Sequence, residues 1–183
     1  SMQRLDVIVI GTGSAGQTAA SELADAGMRV AIFDKRPVGG TCALRGCEPK
    51  KVLYSAAETV ERARALEGLG VTGAVRIDWP VLLAFKRTFT DPVSDKVEAW
   101  LAGSGITVIH GAARFVGPDA LEASGVMYAA EHIVVATGAL PMDLGFPGTE
   151  LVTDSEHFME IDSLPARIAF IGGGYISFEF API

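Results

Sequence analysis

The chain has 183 residues, 49% of them hydrophobic, with 21 glycines and a formal charge of −7 at pH 7. That length holds one well-packed domain, or one domain and part of another, and the apolar share suits a buried sheet rather than a disordered or fibrous chain. The negative charge speaks against nucleic acid or an anionic membrane as a main partner, no apolar run approaches the ~18 residues of a membrane span, and two cysteines are too few for a secreted disulfide scaffold, so a cytoplasmic protein is expected.

The first element is LDVIVI (Leu5–Ile10), a short β-branched apolar run of the kind found in strands buried on both faces. It leads into GTGSAG (Gly11–Gly16) and then an Ala-rich stretch that reads as a helix stopped by Gly27. MRVAIFD (Met28–Asp34) is a second buried strand ending in an acid, and Asp34 falls 23 positions after Gly11. A glycine pattern alone says little. Between strand and helix, with an acid closing the next strand, it reads as a dinucleotide site. Gly11 allows the tight turn, Gly13 lets backbone approach a pyrophosphate, and Gly16 lets the helix pack on the strand. The first helical amides, from Ser14 onward, then face the phosphates. Asp34 can accept hydrogen bonds from an adenosine ribose.

Directly afterwards comes GGTCALRGCEPKK (Gly39–Lys51), which holds the only two cysteines, Cys42 and Cys47. Five residues in a regular helix advance about 7.5 Å and turn about 140° past one revolution. A disulfide needs Cα atoms roughly 4.4–6.8 Å apart with facing side chains, so a smooth helix cannot join them. A loop or distorted turn can, and Gly39, Gly40 and Gly46 permit one. The alternatives are a metal site or two inert core thiols. Zinc wants four ligands, and His110, His132 and His157 are scattered without forming a second ligand pair, so no metal is expected. Because the thiols follow the second strand, they would lie along an extended cofactor towards its chemical end. A flavin is the cofactor that can exchange electrons with a disulfide placed there.

Glu48–Leu66 reads as a helix, and so does Pro80–Gly103, interrupted near Asp91-Pro92. Ile106–His110, Ala112–Val116, Ala120–Glu122, Val126–Ala130 and His132–Ala136 read as short strands. ATGALP (Ala136–Pro141) closes this region, and TDSEHFMEIDSLP (Thr153–Pro165) bridges onward. In RIAFIGGGYISFEFA (Arg167–Ala181), Ile168–Ile171 reads as another buried strand and GGGYIS (Gly172–Ser177) as a second nucleotide-binding turn. Two such turns imply two dinucleotides. The second unit is expected to be only a beginning, with its strand partners and further domains beyond Ile183.

With these motifs in order, the chain resembles the N-terminal part of a pyridine nucleotide–disulfide oxidoreductase, the family of FAD enzymes that includes glutathione reductase, dihydrolipoamide dehydrogenase and mercuric reductase. The resemblance covers essentially the whole chain, and its most specific part is the cysteine motif. It implies an α/β fold: a Rossmann-like, three-layer FAD-binding domain over residues 3–150, then a bridge and the truncated start of a Rossmann-like NAD(P)-binding domain over 151–183. It implies FAD and NAD(P)H as cofactors, a small-molecule disulfide or dithiol as substrate, and a homodimer when full-length.

By position, Cys42 resembles the interchange thiol that attacks the substrate and Cys47 the thiol stacked against the flavin. Exchange through a mixed disulfide needs one accessible and one resolving sulfur, with thiolate as the reacting form. A family lysine just after the second cysteine pairs with a glutamate on the nicotinamide-side helix. Glu179 fits that glutamate, and Lys50 and Lys51 both fit the lysine. Tyr175 resembles the tyrosine that covers the flavin, a plain packing role being the alternative. The set expected on the flavin nucleotide is Gly11, Gly13, Ser14, Gly16, Asp34, Lys35, Gly40, Thr41, Ala112, Ala136, Thr137 and Gly138, with Gly172 and Gly174 on the nicotinamide side. Some positions depart from the family. Ser21 stands where glutathione reductases carry a carboxylate-binding arginine, no tyrosine lies near Phe89-Thr90, and Ala43-Leu44-Arg45 is unusual between the cysteines. The motif therefore leaves the substrate open. A metal-ion or quinone acceptor, and an inactive flavin-binding fragment, are the competing readings.

Overall fold

Alternation of side chains along β1 (Met2–Ile10) decides how the sheet is built. Val7 and Val9 face one way and Ile8 the other, and all three are buried. The computed structural model describes residues 2–183. After β1 come α1 (Ser14–Asp25), β2 (Val30–Asp34), α2 (Gly40–Arg45), α3 (Cys47–Ala65), α4 (Trp79–Thr90) and α5 (Val93–Gly103). The short strands β3 (Thr107–His110), β4 (Arg114–Phe115) and β5 (Ala120–Ala123) follow, then β6 (Val126–Val135), α6 (Ser155–Phe158) and α7 (Tyr175–Phe180). No helix among the described residues is long and apolar enough to cross a membrane.

The strands form one sheet in the order β3-β2-β1-β6-β5-β4. The β3, β2, β1 and β6 neighbours are parallel, while β5 runs antiparallel to both β6 and β4. On one face, Val7, Val9, Val30 and Ile32 pack with Ala20 of α1 and Leu101 of α5. On the other, Ile8, Ala31 and Phe33 meet Leu121, Ala123, Tyr128 and Ala130. Phe33 and Tyr128 stack edge to face with centroids 5.0 Å apart. Each of the buried Val, Leu, Ile and Phe side chains contributes about 1.5–3 kcal/mol over leaving it in water. Burial on both faces is why these strands read as unbroken apolar runs.

The chain divides into two compact units. The first comprises residues up to Leu44 with Pro92–Leu140, and holds the whole sheet. The second comprises Arg45–Asp91 with Pro141–Ile183 and is helical, built on Leu53, Trp79, Leu83, Phe158, Met159 and Phe180. There the Trp79 indole donates to the Ile161 carbonyl at 2.8 Å. The fully buried Lys86 donates to the Met159 carbonyl at 3.0 Å and pairs with Glu160. Asp78 caps α4, accepting from the Val81 amide, with Pro80 in the first turn. The break expected near Asp91-Pro92 separates α4 from α5 and coincides with a boundary between the units.

Two expectations are corrected. Val126–Ala130 and His132–Ala136 are one strand, because β1 extends back to Met2 and offers β6 a continuous partner from Met127 to Val135. Ile168–Ile171 is no strand: it has no regular structure, and Ile168 and Ile171 are exposed. A parallel strand needs hydrogen-bonded neighbours and cover on both faces. Among the described residues every strand of the sheet belongs to the first unit, and none pairs with this segment.

Candidate functional site

The carboxyl ends of the central strands carry the predicted nucleotide residues. The Gly11 amide donates to the Phe33 carbonyl at 2.7 Å, and the Ala136 amide to that of Ile10 at 2.8 Å. Gly11 has φ +110°, and a Cβ there would lie 2.2 Å from the Ala136 carbonyl oxygen. A Cβ on Gly16 would lie 1.9 Å from the Gly11 carbonyl oxygen. The tight turn and the close packing of α1 on β1 thus each require the glycine at that position. Thr137 and Gly138, just past β6, are exposed, as are Ser14 and Lys35. Ala112, two residues beyond β3 on the far side of β2, is exposed at the same end of the sheet.

Asp34 ends β2 and reaches back to the glycine turn. Its Oδ2 accepts from the Thr12 amide at 2.9 Å and the Thr12 hydroxyl at 2.6 Å, and its Oδ1 from the Arg36 amide at 2.9 Å. Thr12 is fully buried. Sequence reasoning passed over it because the second position of the glycine motif makes no chemical demand. The one available signal was a hydroxyl 22 residues before the acid.

The turn fits the diphosphate of a dinucleotide. Gly13 caps α1, no side chain hydrogen-bonds to that cap, and no acid sits in the first turn, so the first amides are left for an anion. An added Cβ on Gly13 would meet only Gly40 Cα, at 3.9 Å, which leaves the approach over the turn open. Gly40 has φ +76°, and its own Cβ would fall 2.3 Å from Gly13 Cα. The backbone that starts α2 therefore lies directly on the nucleotide turn. Thr41 and Cys42, the next two residues, are exposed.

Cys47 is the first residue of α3, after Gly46 interrupts the helical path, and is also exposed. It belongs to the second unit and Cys42 to the first. One turn into α3 the two candidate lysines diverge: Lys50 is buried and Lys51 exposed. Lys50 forms an ion pair with Glu179 of α7, and its ammonium lies 4.4 Å from the centre of the Tyr175 ring. Glu179 is partly exposed and Tyr175 largely so. Phe180, beside Glu179, anchors α7 by stacking on Phe158 at 4.4 Å. Gly172 has φ +102° and Gly174 caps α7, but a Cβ on either would meet nothing within 4 Å. The second glycine turn lacks the close packing that shapes the first.

The family model for pyridine nucleotide-disulphide oxidoreductase matches residues 5–183. The chain belongs to that family. It is 37% identical over 184 residues to a dihydrolipoyl dehydrogenase of Thermus scotoductus, covering 100% of this chain and 40% of the relative. It is 35% identical over 179 residues to a glutathione reductase of Burkholderia cepacia, covering 97% and 40%. Among solved structures, the HOCl-induced flavoprotein disulfide reductase RclA from Escherichia coli superposes with a TM-score of 0.83 at 31% identity, over 96% of this chain and 38% of that one. The chain thus spans about 40% of the length of the curated family members it matches.

Proposed function

We propose that the protein of this chain is an FAD-dependent, NAD(P)H-linked disulfide oxidoreductase in which Cys42 and Cys47 are the redox pair. The observation that carries this reading is the packing of Gly40 on Gly13, which sets the thiol-bearing turn against a glycine turn fit for a dinucleotide. Gly11, Gly13, Ser14, Gly16, Asp34 and Ala136–Gly138 would hold the flavin nucleotide, with residues 3–150 as its domain and 151–183 opening the nicotinamide domain. Bound there, FAD supplies two-electron exchange between a nicotinamide and a disulfide.

The thiol chemistry belongs to the chain itself. The Cys42 thiolate attacks a substrate disulfide, forming a mixed disulfide and releasing one thiol. Cys47 then attacks the Cys42 sulfur, which releases the second thiol and leaves Cys42 and Cys47 joined. Over a cycle, NAD(P)H and one proton are consumed and one disulfide becomes two thiols. Lys50, neutralised by Glu179, sits three residues after Cys47 on α3, and Tyr175 covers its ammonium. A thiol pair that must be re-reduced suits a reducing, cytoplasmic setting, and the working form in this reading is a longer homodimer.

A metal-ion acceptor is the second reading. It is favoured by a solved RclA structure described as a Cu(II) complex, which superposes with a TM-score of 0.84 at 29% identity. The cofactor is tested by denaturing the purified protein and identifying what it releases. FAD is expected; recovery of NAD alone, or of no nucleotide after incubation with FAD, would contradict the proposal. Turnover on oxidised lipoamide, oxidised glutathione and Cu(II) then separates the two acceptors.

A further inference from the structure

Thr12 makes four hydrogen bonds that tie three segments together. Its amide and hydroxyl both donate to Asp34 Oδ2, at 2.9 and 2.6 Å. The hydroxyl accepts from the Gly39 amide at 3.2 Å, and the Thr12 carbonyl accepts from Gln17 Nε2 at 2.7 Å. The Gly39 amide is buried, and Gly39 lies three residues before Cys42. A hydroxyl has one proton to give and lone pairs to receive. Here its proton goes to the carboxylate and a lone pair takes the Gly39 amide, so both directions are used. Nothing in the glycine motif asks for this: the motif needs glycines and an acid, and leaves the second position free.

Resting on the flavin reading above, we propose that Thr12 is a positioning residue that couples nucleotide binding to the Cys42 segment. One side chain orients the carboxylate that would meet the ribose and fastens the backbone leading to the thiol. The Gly13–Gly40 contact fastens the same segment one residue further on. A ligand that orders the glycine turn therefore also orders Gly39–Cys42, and a thiol segment that loosens also disturbs Asp34. Valine has nearly the shape of threonine without the hydroxyl. Thr12→Val would strand the Gly39 amide without its acceptor and remove one charge-assisted bond from Asp34. Thr12→Ser keeps both bonds.

The test uses flavin-free protein carrying the wild-type sequence, Thr12→Val or Thr12→Ser. FAD affinity is read by fluorescence quenching, and amide exchange over Arg36–Cys42 by mass spectrometry with and without FAD. Thr12→Val is expected to weaken FAD by about 10- to 100-fold and to speed exchange over Arg36–Cys42, which FAD then no longer slows. Thr12→Ser is expected to restore both. Unchanged affinity and exchange in Thr12→Val, or a serine variant as impaired as the valine one, would overturn the inference. If Thr12→Val does not fold, the wild-type protein still decides: FAD that binds without slowing exchange over Arg36–Cys42 refutes the coupling. Wild-type protein that binds no FAD would instead overturn the reading of the nucleotide site, and the inference with it.

Discussion

Gly40 and Gly73 both have positive φ, yet their surroundings differ. A Cβ on Gly40 would fall 2.3 Å from Gly13 Cα, whereas one on Gly73 would meet nothing within 4 Å. Gly40→Ala is therefore expected to cost about 2–4 kcal/mol, from backbone strain and overpacking together, and Gly73→Ala about 1 kcal/mol from strain alone. Urea unfolding of the two variants checks this; equal losses would mean that the contact with Gly13 is loose. Asp34→Ala should weaken FAD by about 1–3 kcal/mol, read by titration, since it removes the acceptor expected for the ribose. At this scale Gly11 and Gly16 were legible because a side chain there would strike backbone, and Asp34 because an acid closing the second strand completes the motif. Thr12 was not, because its importance lies in contacts with residues 22 and 27 positions away.

Between elements, the two buried lysines of the second unit set up a contrast. Lys50 is buried and its partner Glu179 is 30% exposed. Removing Glu179 leaves a buried ammonium, so Glu179→Ala is expected to cost about 3 kcal/mol, while Lys50→Met leaves a carboxylate that water can reach and should cost nearer ~1 kcal/mol. The same order is expected at Lys86, which is fully buried, with Glu160 half exposed and also held by Arg87. Chemical denaturation of the four variants checks both pairs; a lysine variant costing more than its glutamate partner would contradict the account. The sequence offered Lys50 and Lys51 equally, and the turn of α3 separates them, burying one and exposing the other. Lys86 gave no signal, since the carboxylate it pairs with, Glu160, lies 74 residues away in the sequence.

Helix α6 adds a dependence on pH. Burial pushes the Asp154 carboxyl up, but donation from the backbone and ring of His157 outweighs it, so the group sits below its ordinary 3.8. A folded value below the unfolded one stabilises above the unfolded value and is lost as pH falls through the folded one. Asp154→Ala should then cost about 1 kcal/mol at neutral pH, as for other helix caps. That difference should vanish in strong acid, and a cost independent of pH would argue against the cap.

For the whole molecule, the parallel core was legible because strands buried on both faces are continuous apolar runs, and Val7–Val9 of β1 and Val30–Phe33 of β2 lie in such runs. The length of β6 was less so, since it depends on β1 continuing to Met2 as its parallel partner. The segment Ile168–Ile171 has the composition of a buried strand but finds no pairing edge here, and composition alone cannot supply one. Family membership and the nucleotide turn lead to one central claim, that the two thiols and a flavin form a single redox unit. Anaerobic reductive titration of the flavin-loaded protein tests it most directly. The wild-type protein is expected to take up two electrons for the flavin and two more for the Cys42–Cys47 disulfide, whereas Cys42→Ser and Cys47→Ser should each take up only the flavin's two. Uptake of the same two electrons by all three proteins would contradict the claim.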